Sequence, residues 1–346
     1  MELRKYLRYA QSLLHSSEWS VTRFTGSLRQ TDQPLSLLFY GSSNLLADAF
    51  LNPGYQQESL GFFQPLRLQA AMQRYGSADV VLTPHLPWQT RPTLLLPDYL
   101  EAILPLPASM ESFMAQLRGN TRRSVQQALK SEVYFEEGLS LDDYREFHTQ
   151  MLIPYLRTRH GEHAYLDTLE NLYAQAERSH LIFVTQNGQR LGGFLLLKPR
   201  ISGATYFNKL GLHPAVYADK ERMRLLNALL YYKMISLNIE LGFSAINLGI
   251  TPPVFGNGIV WYKASWGAHF TPNADLHRYA LHIAESRRSD ILKHMQAVVQ
   301  VEANQLWVNL THSEGVEEDI KRHRFSGLRH VVLVDEQGRP EKRSLG

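Results

Sequence analysis

The sequence predicts an α/β fold divided between about two domains. The chain has 346 residues, and a domain usually takes about 100 to 200 of them. Short apolar runs bounded by turn residues alternate with stretches in which apolar residues recur at helical spacing. Such alternation is typical of a layer of strands covered by helices.

The first hundred residues predict a strand, a helix and a second strand. Residues 35–40 (LSLLFY) and 79–83 (DVVLT) are short and apolar, as buried strands are. Residues 64–75 between them have a helical pattern that begins near a proline and ends at a glycine. Prolines exclude a central strand over 84–97, and 100–106 (LEAILPL) predicts a strand that bridges the two halves.

The second half predicts helices, a β-hairpin and single strands in turn. Asn187-Gly188 separates two apolar runs, which is the usual signature of a hairpin over 180–200. We further expect helices at 109–130, 142–160, 167–178, 219–240 and 286–299, and strands at 203–210, 243–248, 277–283 and 330–334.

Residues 246–270 (INLGITPPVFGNGIVWYKASWGAHF) are apolar, then rich in turn residues, then aromatic. They predict a strand, a loop and a second strand. Lys263 stands on that second strand between Tyr262 and Trp266. We expect this segment either to pack for shape alone or to form the wall of a site.

Composition excludes several classes of function. The chain has no cysteine, so disulfides, thiolate metal sites and cysteine nucleophiles are excluded. The net charge of +3 does not by itself indicate nucleic-acid binding. The N-terminal residues lack the apolar region of a signal peptide, and no run of 18 apolar residues is present. We therefore expect a soluble, cytoplasmic protein without a membrane span.

Four segments between residues 98 and 270 resemble the GNAT acyltransferase superfamily, and within it the FemAB-like, or acetyltransferase-6, branch of peptidoglycan aminoacyltransferases. They are LPLPASMESFMAQLRGNTRRSVQQALK, LRTRHGEHAYLDTLENLY, HLIFVTQNGQRLGGFLLL and the segment 246–270. In the last of these, Asn247-Leu248-Gly249 is similar to the family's strand-ending turn. Tyr262-Lys263-Ala264-Ser265-Trp266-Gly267 is similar to its aromatic–lysine–aromatic motif.

The resemblance implies two GNAT-like units side by side with a C-terminal extension. The expected divisions are a degenerate unit at 1–107, an acyltransferase unit at 108–284 and an extension packed on the core at 285–346. The implied activity is N-acyl transfer from acyl-CoA, acetyl-CoA first, to an amine on a small molecule, sugar or peptide. The attack is direct, with no covalent enzyme intermediate and no metal. In GNAT folds the strand that corresponds to 203–210 splays from its neighbour and lines the donor site.

One departure from the GNAT pattern keeps two other functions open. The family's glycine-rich pyrophosphate loop is replaced here by HPAVYADKERMRLLNALL, and no glycine occurs from 212 to 241. The donor is then either bound in another way or is an aminoacyl-tRNA, as in the peptidoglycan enzymes. A non-catalytic GNAT-like binding protein is the third interpretation.

Each candidate residue has a functional and a purely structural interpretation. The candidates fall into three groups: catalytic Lys263, His160 and Glu162; donor- or phosphate-binding Arg118, Arg122, Arg123, Asn208, Lys220 and Arg222; and cleft-lining Tyr206, Tyr262, Trp266 and Asn247. Lysine can stabilise an oxyanion or contact phosphate, and arginine binds phosphate through two parallel hydrogen bonds. The structural alternatives are a lysine lying over aromatic rings, a solvated basic helix face, a polar loop and a helix start capped by Asp219. His160 and His163 have no third ligand nearby, so their spacing is a weak metal signal.

Overall fold

The computed structural model divides the chain into two compact units. Unit 1 comprises Met1–Glu101, Ile250–Ala264 and Phe270–Gly346, and unit 2 comprises Ala102–Gly249 and Ser265–His269. Unit 1 thus includes the C-terminal residues that the sequence predicts as a separate extension at 285–346. The structure describes residues 19–41, 46–64, 67–85, 92–160, 166–199, 203–255, 258–272, 278–295, 297–302, 305–311, 316–317, 320, 330–335 and 339–344.

The strands are numbered in chain order. They are β1 Trp19–Ser27, β2 Pro34–Tyr40, β3 Gln56–Phe63, β4 Val80–Pro84, β5 Leu94–Pro97, β6 Leu100–Pro105, β7 Tyr134–Gly138, β8 Ser179–Gln186, β9 Gln189–Leu197, β10 Thr205–Leu212, β11 Ala245–Thr251, β12 His269–Pro272, β13 Arg278–Ile283, β14 Val299–Glu302, β15 Gln305–Thr311, β16 His330–Val334 and β17 Pro340–Ser344.

The helices are numbered in the same way. They are α1 Ala47–Phe50, α2 Leu68–Tyr75, α3 Met110–Gln116, α4 Gly119–Ala128, α5 Leu141–Glu146, α6 Ile153–His160, α7 Leu169–Tyr173, α8 Pro214–Tyr217, α9 Lys220–Glu240, α10 Gly258–Ser265 and α11 Arg288–His294. A π-helix joins α5 to α6 over Phe147–Leu152, and short 3₁₀ turns cover Ala176–Arg178 and Glu285–Arg287.

Unit 1 contains two sheets. The larger has the order β3-β1-β2-β4-β13-β5, and the smaller has the order β14-β15-β16-β17. In the larger sheet β13 pairs antiparallel with both β4 and β5, which are about 200 residues earlier in the chain. Alternating apolar side chains of these strands, among them Phe24, Leu37 and Leu281, form a core that also contains Phe50 and Ile291 from the covering helices.

Unit 2 is organised by a seven-stranded sheet with the order β12-β6-β11-β10-β9-β8-β7. The antiparallel hairpin β8–β9 turns at Asn187-Gly188, both of which have positive φ, as the sequence predicts. The succession of two helices, hairpin, strand, long helix and strand is the one that the GNAT resemblance implies. The predicted GNAT-like α/β fold is therefore confirmed, whereas a degenerate GNAT-like nature of unit 1 stays a prediction.

Several elements differ from the sequence prediction. The helix expected over 142–160 contains the π-helix Phe147–Leu152, where β10 approaches so closely that a Cβ on Gly211 would lie 2.7 Å from the amide nitrogen of Leu152. The strand expected around Lys263 is the helix α10. Its buried residues Val260, Lys263 and Ala264 recur at helical spacing, so packing overrides the β-propensity of the aromatic residues around them.

The predicted tail helix 286–299 is also shorter, because residues 288–294 form α11 and β14 begins at Val299. Within the described ranges, no helix combines the length and the apolar content that a membrane crossing requires.

Candidate active site

The parallel strands β10 and β11 part from one another inside the sheet of unit 2. They pair only at Thr205 with Ile246 and at Tyr206 with Asn247, although β10 has eight residues and β11 has seven. Immediately afterwards β10 bulges between Phe207 and Lys209, where its register against β9 shifts. We call this divergence the β10–β11 fork.

Three residues at the opening of the fork are brought together by the backbone. The Asn247 side-chain oxygen accepts a hydrogen bond from the Gly249 amide at 2.8 Å, which bends the end of β11. Gly249 has φ +80°, and a Cβ placed on it would lie 3.5 Å from the hydroxyl oxygen of Tyr206. The predicted cleft residues Tyr206 and Asn247 are therefore neighbours here, and Tyr206 is 38% exposed.

Aromatic rings pack against one another next to the fork, in the interior of unit 2. Trp266 stacks on Tyr231 with ring centroids 4.9 Å apart, and Phe207 meets Tyr231 edge-on at 5.3 Å. Trp266 is only 2% exposed, so it packs inside unit 2 rather than at an open surface. The predicted role of Trp266 in lining a cleft stays a prediction.

A buried polar pair holds α9 at the base of the fork. The Thr205 hydroxyl donates to the side-chain oxygen of Asn238, and the Asn238 amide donates to the Met234 carbonyl at 2.7 Å. Both Thr205 and Asn238 are fully buried. Because each polar group is satisfied, the pair fixes the position of β10 against the long helix.

An ion pair follows directly after the bulge. Lys209 lies 2.6 Å from Asp167, and both side chains are largely buried. The Asp167 carbonyl also lies 2.8 Å from the Nε2 of His148, which belongs to the π-helix. The sequence does not indicate Asp167, because nothing local marks a partner 42 residues from Lys209. The Asn208 side chain lies outside the described residues.

Lys263 lies in α10, within unit 1, and is almost entirely buried. Its ammonium donates to the Ile250 carbonyl at 3.0 Å, and its exposed fraction is 7%. Burial lowers the pKa of Lys263 from 10.5 to about 8, because the charged form loses its hydration. Tyr262, in contrast, is 39% exposed on the same helix.

The predicted phosphate-binding arginines contact the backbone. Arg122 donates to the Ala115 and Leu117 carbonyls at 3.1 and 2.9 Å, which closes the C-terminal end of α3. Arg123 donates to the Gly119 carbonyl at 3.3 Å. Burial lowers the pKa of Arg118, which stands directly before α4. A contact of these three side chains with phosphate stays a prediction.

The beginning of α9 is capped by a carboxylate. Asp219 accepts hydrogen bonds from the amides of Glu221 and Arg222 at 2.9 and 3.1 Å. The predicted donor-binding residues Lys220 and Arg222 are exposed beside this cap. Two of the backbone amides at the start of α9 are therefore already bonded to Asp219.

The predicted catalytic pair next to α6 is only partly described. His160 ends α6, and its side chain together with the whole of Glu162 lies outside the described residues. Over the residues that the structure does describe, no group of three histidine, aspartate or glutamate side chains could hold a metal ion.

No family model and no curated protein matches the sequence. Among solved structures, the chain is similar to FemX with 13% identity over 82% of this chain and 92% of FemX, at a TM-score of 0.43. It is similar to L-PGS from Bacillus licheniformis with 10% identity over 82% and 92% of the two chains, at 0.38. It is also similar to a GCN5-related N-acetyltransferase from Sphaerobacter thermophilus with 14% identity over 71% of each chain, at 0.31. These likenesses concern the course of the backbone and assign no activity to this chain.

Proposed function

We propose that the protein is an acyltransferase and that an acyl group passes from its carrier to an amine at the β10–β11 fork. The observation that carries the proposal is the parting of β10 and β11 directly after Tyr206 and Asn247. A gap between parallel strands leaves backbone amides and carbonyls available that in a continuous sheet form hydrogen bonds between the strands. An extended acyl carrier can pair with them, and its carbonyl then lies beside polar side chains.

The residues of the fork suit direct attack by an amine. The Tyr206 hydroxyl and the Asn247 amide can donate hydrogen bonds to the oxygen on which negative charge develops in the tetrahedral transition state. The acceptor ammonium must lose its proton before it attacks. Lys263 was predicted as catalytic from the sequence, and with a pKa of about 8 it is partly neutral near pH 8, so it stays one of the candidates for that base. His160 and Glu162 remain the alternatives.

Two carriers are compatible with this chemistry. Acyl-CoA, with acetyl-CoA as the first example, would place its phosphates near Lys220, Arg222 and the arginines of α4. The carboxylate of Asp219 at the start of α9 opposes that placement, since it occupies the amides and repels phosphate. This observation favours the second candidate, an aminoacyl-tRNA, whose ester carbonyl needs the fork but no pyrophosphate loop.

The test is a transfer assay with both carriers. The full-length chain is incubated with labelled acetyl-CoA or with labelled aminoacyl-tRNA, and with small-molecule, amino-sugar and peptide amines as acceptors. Asn247→Ala is expected to lower kcat/KM by about 100-fold and Tyr206→Phe by about 10-fold, because each removes a donor. Tyr134→Phe, on a half-exposed tyrosine of β7, is the matched control. Equal activity of all variants would contradict a site at the fork.

Asp219→Asn separates the two carriers. The amide keeps the cap and removes the charge, so the KM for acetyl-CoA falls severalfold if phosphates bind at the start of α9. An unchanged KM together with transfer from aminoacyl-tRNA would support the second candidate. Binding of a carrier without any turnover would support the non-catalytic alternative. A cytoplasmic location stays a prediction.

A further inference from the structure

Unit 1 contains a cavity of about 420 Å³ on one face of the small sheet β14–β17. Its apolar wall is formed by side chains such as Leu94 of β5, Leu292 of α11 and Val332 of β16. Two carboxamides, those of Gln300 and Asn309, face it from neighbouring strands. The volume falls in the range of small-molecule sites, which combine apolar walls with a few polar groups.

The hydrogen bonds of these carboxamides determine which way each one points. The Asn309 amide nitrogen donates to the Val298 carbonyl at 3.0 Å and to the Gln300 side-chain oxygen at 3.4 Å. The side-chain oxygen of Asn309 and the amide nitrogen of Gln300 are therefore the two groups that remain. In the part of the chain that the structure describes, neither of these two atoms has a hydrogen-bond partner.

Both side chains are largely buried, and the cavity is where their two remaining polar atoms are reached. Gln300 is 8% exposed and Asn309 is 4% exposed. Neither atom is shut off from solvent, so this donor and this acceptor on the wall of one cavity are open to a ligand group that pairs with both. That group must accept a hydrogen bond from Gln300 and donate one to Asn309. A single amide group does both.

The charged residues that line the cavity are already paired. Lys342 contacts Glu302 at 2.5 Å, and Arg288 lies 3.6 Å from Glu285. The charges around the cavity therefore balance, and a ligand with a net charge would have no unpaired counter-charge there. The ligand is consequently neutral.

We propose that this cavity binds a neutral small molecule with an amide group. The ligand carbonyl accepts from the Gln300 amide, the ligand N–H donates to the Asn309 oxygen, and its apolar part packs on Leu94, Leu292 and Val332. The site lies wholly in unit 1 and does not depend on the proposed acyl transfer.

Benzamide is the probe for this proposal, and methyl benzoate, which has the same shape but no N–H, is its control. The full-length chain with labelled leucine and valine methyl groups is titrated with each by NMR. We expect benzamide to shift the methyl signals of Leu292 and Val332 and to bind at least 10-fold more tightly than methyl benzoate. Equal binding of the two, or no shift with benzamide up to its solubility limit, would overturn the proposal.

Gln300→Met tests the assigned donor. It removes the free amide but leaves the bond from Asn309 to the Val298 carbonyl, so the fold is expected to persist. Benzamide affinity should fall at least 10-fold, whereas the exposed control Gln305→Met on β15 should leave it unchanged. Unchanged affinity in Gln300→Met would contradict the assignment. If that variant does not fold, the comparison of benzamide with methyl benzoate on the original chain still decides.

Discussion

The ammonium of Lys263 lies 3.0 Å from the carbonyl oxygen of Ile250, with only 7% of the residue exposed. Burial removes most of the hydration of this positive charge. A lysine held in this way is less basic than in water, and its proton is lost at a lower pH. The same contact therefore bears both on the stability of unit 1 and on the candidate base.

The stability of the protein should rise with pH more steeply than that of Lys263→Met. The folded pKa of about 8 lies below the ordinary 10.5, so between these values the unfolded chain binds more protons. The contribution of Lys263 to the free energy of unfolding is lowest below pH 8 and increases by roughly 3 kcal/mol up to about pH 10.5. Urea unfolding at pH 7 to 10 measures the difference, and Lys130→Met, on an exposed lysine, is the control. Parallel curves for the protein and Lys263→Met would show that the lysine is not desolvated.

The pair Thr205–Asn238 should show strong coupling in a double-mutant cycle. Asn238→Leu leaves the buried Thr205 hydroxyl without its partner and should cost about 2 kcal/mol. Thr205→Val combined with Asn238→Leu removes both polar groups and should recover part of that loss. Denaturant unfolding of the four proteins gives the coupling energy. Simple additivity of the two single changes would mean that the hydrogen bond contributes nothing.

Gly211→Ala should destabilise unit 2, because the new Cβ would meet the backbone of Leu152 at 2.7 Å. Neither backbone segment can move without breaking its own hydrogen bonds, so we expect a loss of about 3 kcal/mol. Gly119→Ala at the start of α4 has nothing within 4 Å of its Cβ and should be neutral or slightly stabilising. Thermal unfolding of both variants checks the contrast. Equal midpoints would refute the close approach of β10 to the π-helix.

Arg190→Met should destabilise the protein in a pH-dependent way. The guanidinium binds Glu136, Asp143 and Glu146 and lies 4.0 Å from the ring centroid of Phe183. Burial raises the pKa of Asp143, but hydrogen bonds from Ser140, Arg190 and Leu139 outweigh it and bring the pKa to about 2.

The stabilisation from this carboxylate is present above its unfolded pKa of 3.8 and is lost as the pH falls towards 2. We expect Arg190→Met to cost about 2 kcal/mol at pH 7, and the deficit to shrink below pH 4. Unfolding curves at pH 3 and 7 measure it. Arg145→Met, which breaks an exposed pair with Asp142, is the control and should change little. A deficit that is independent of pH would assign the effect to packing on Phe183.

Short sequence patterns correctly predicted the elements that depend only on neighbouring residues. The turn at Asn187-Gly188 and the cap at Asp219 were both assigned from short stretches of sequence, and both are present. The elements that the sequence does not predict depend on distant partners. The π-helix faces Gly211, and α10 buries Lys263 and Val260 together, so neither follows from the residues next to it in the chain.

The candidate site shows the same limit. Tyr206 and Asn247 came from a family resemblance, and the structure brings them together across the fork. Asp167, Thr205 and Asn238 belong to no sequence motif. Asp167 is positioned by its contact with Lys209, and Thr205 and Asn238 are positioned by their contact with each other. Patterns in sequence report periodicity and turns, whereas such contacts arise only from the tertiary pairing.

The position of β13 between β4 and β5 determines the order in which unit 1 can be completed. The Ile283 amide donates to the Thr93 hydroxyl across 190 residues, so the middle strand leaves the ribosome long after its neighbours. Until then the facing edges of β4 and β5, with Leu82 and Leu96, have no strand between them. A nascent chain with two open apolar edges is prone to aggregation and folds slowly. During synthesis this protein should therefore depend on chaperones for longer than a chain whose sheet partners are neighbours in sequence.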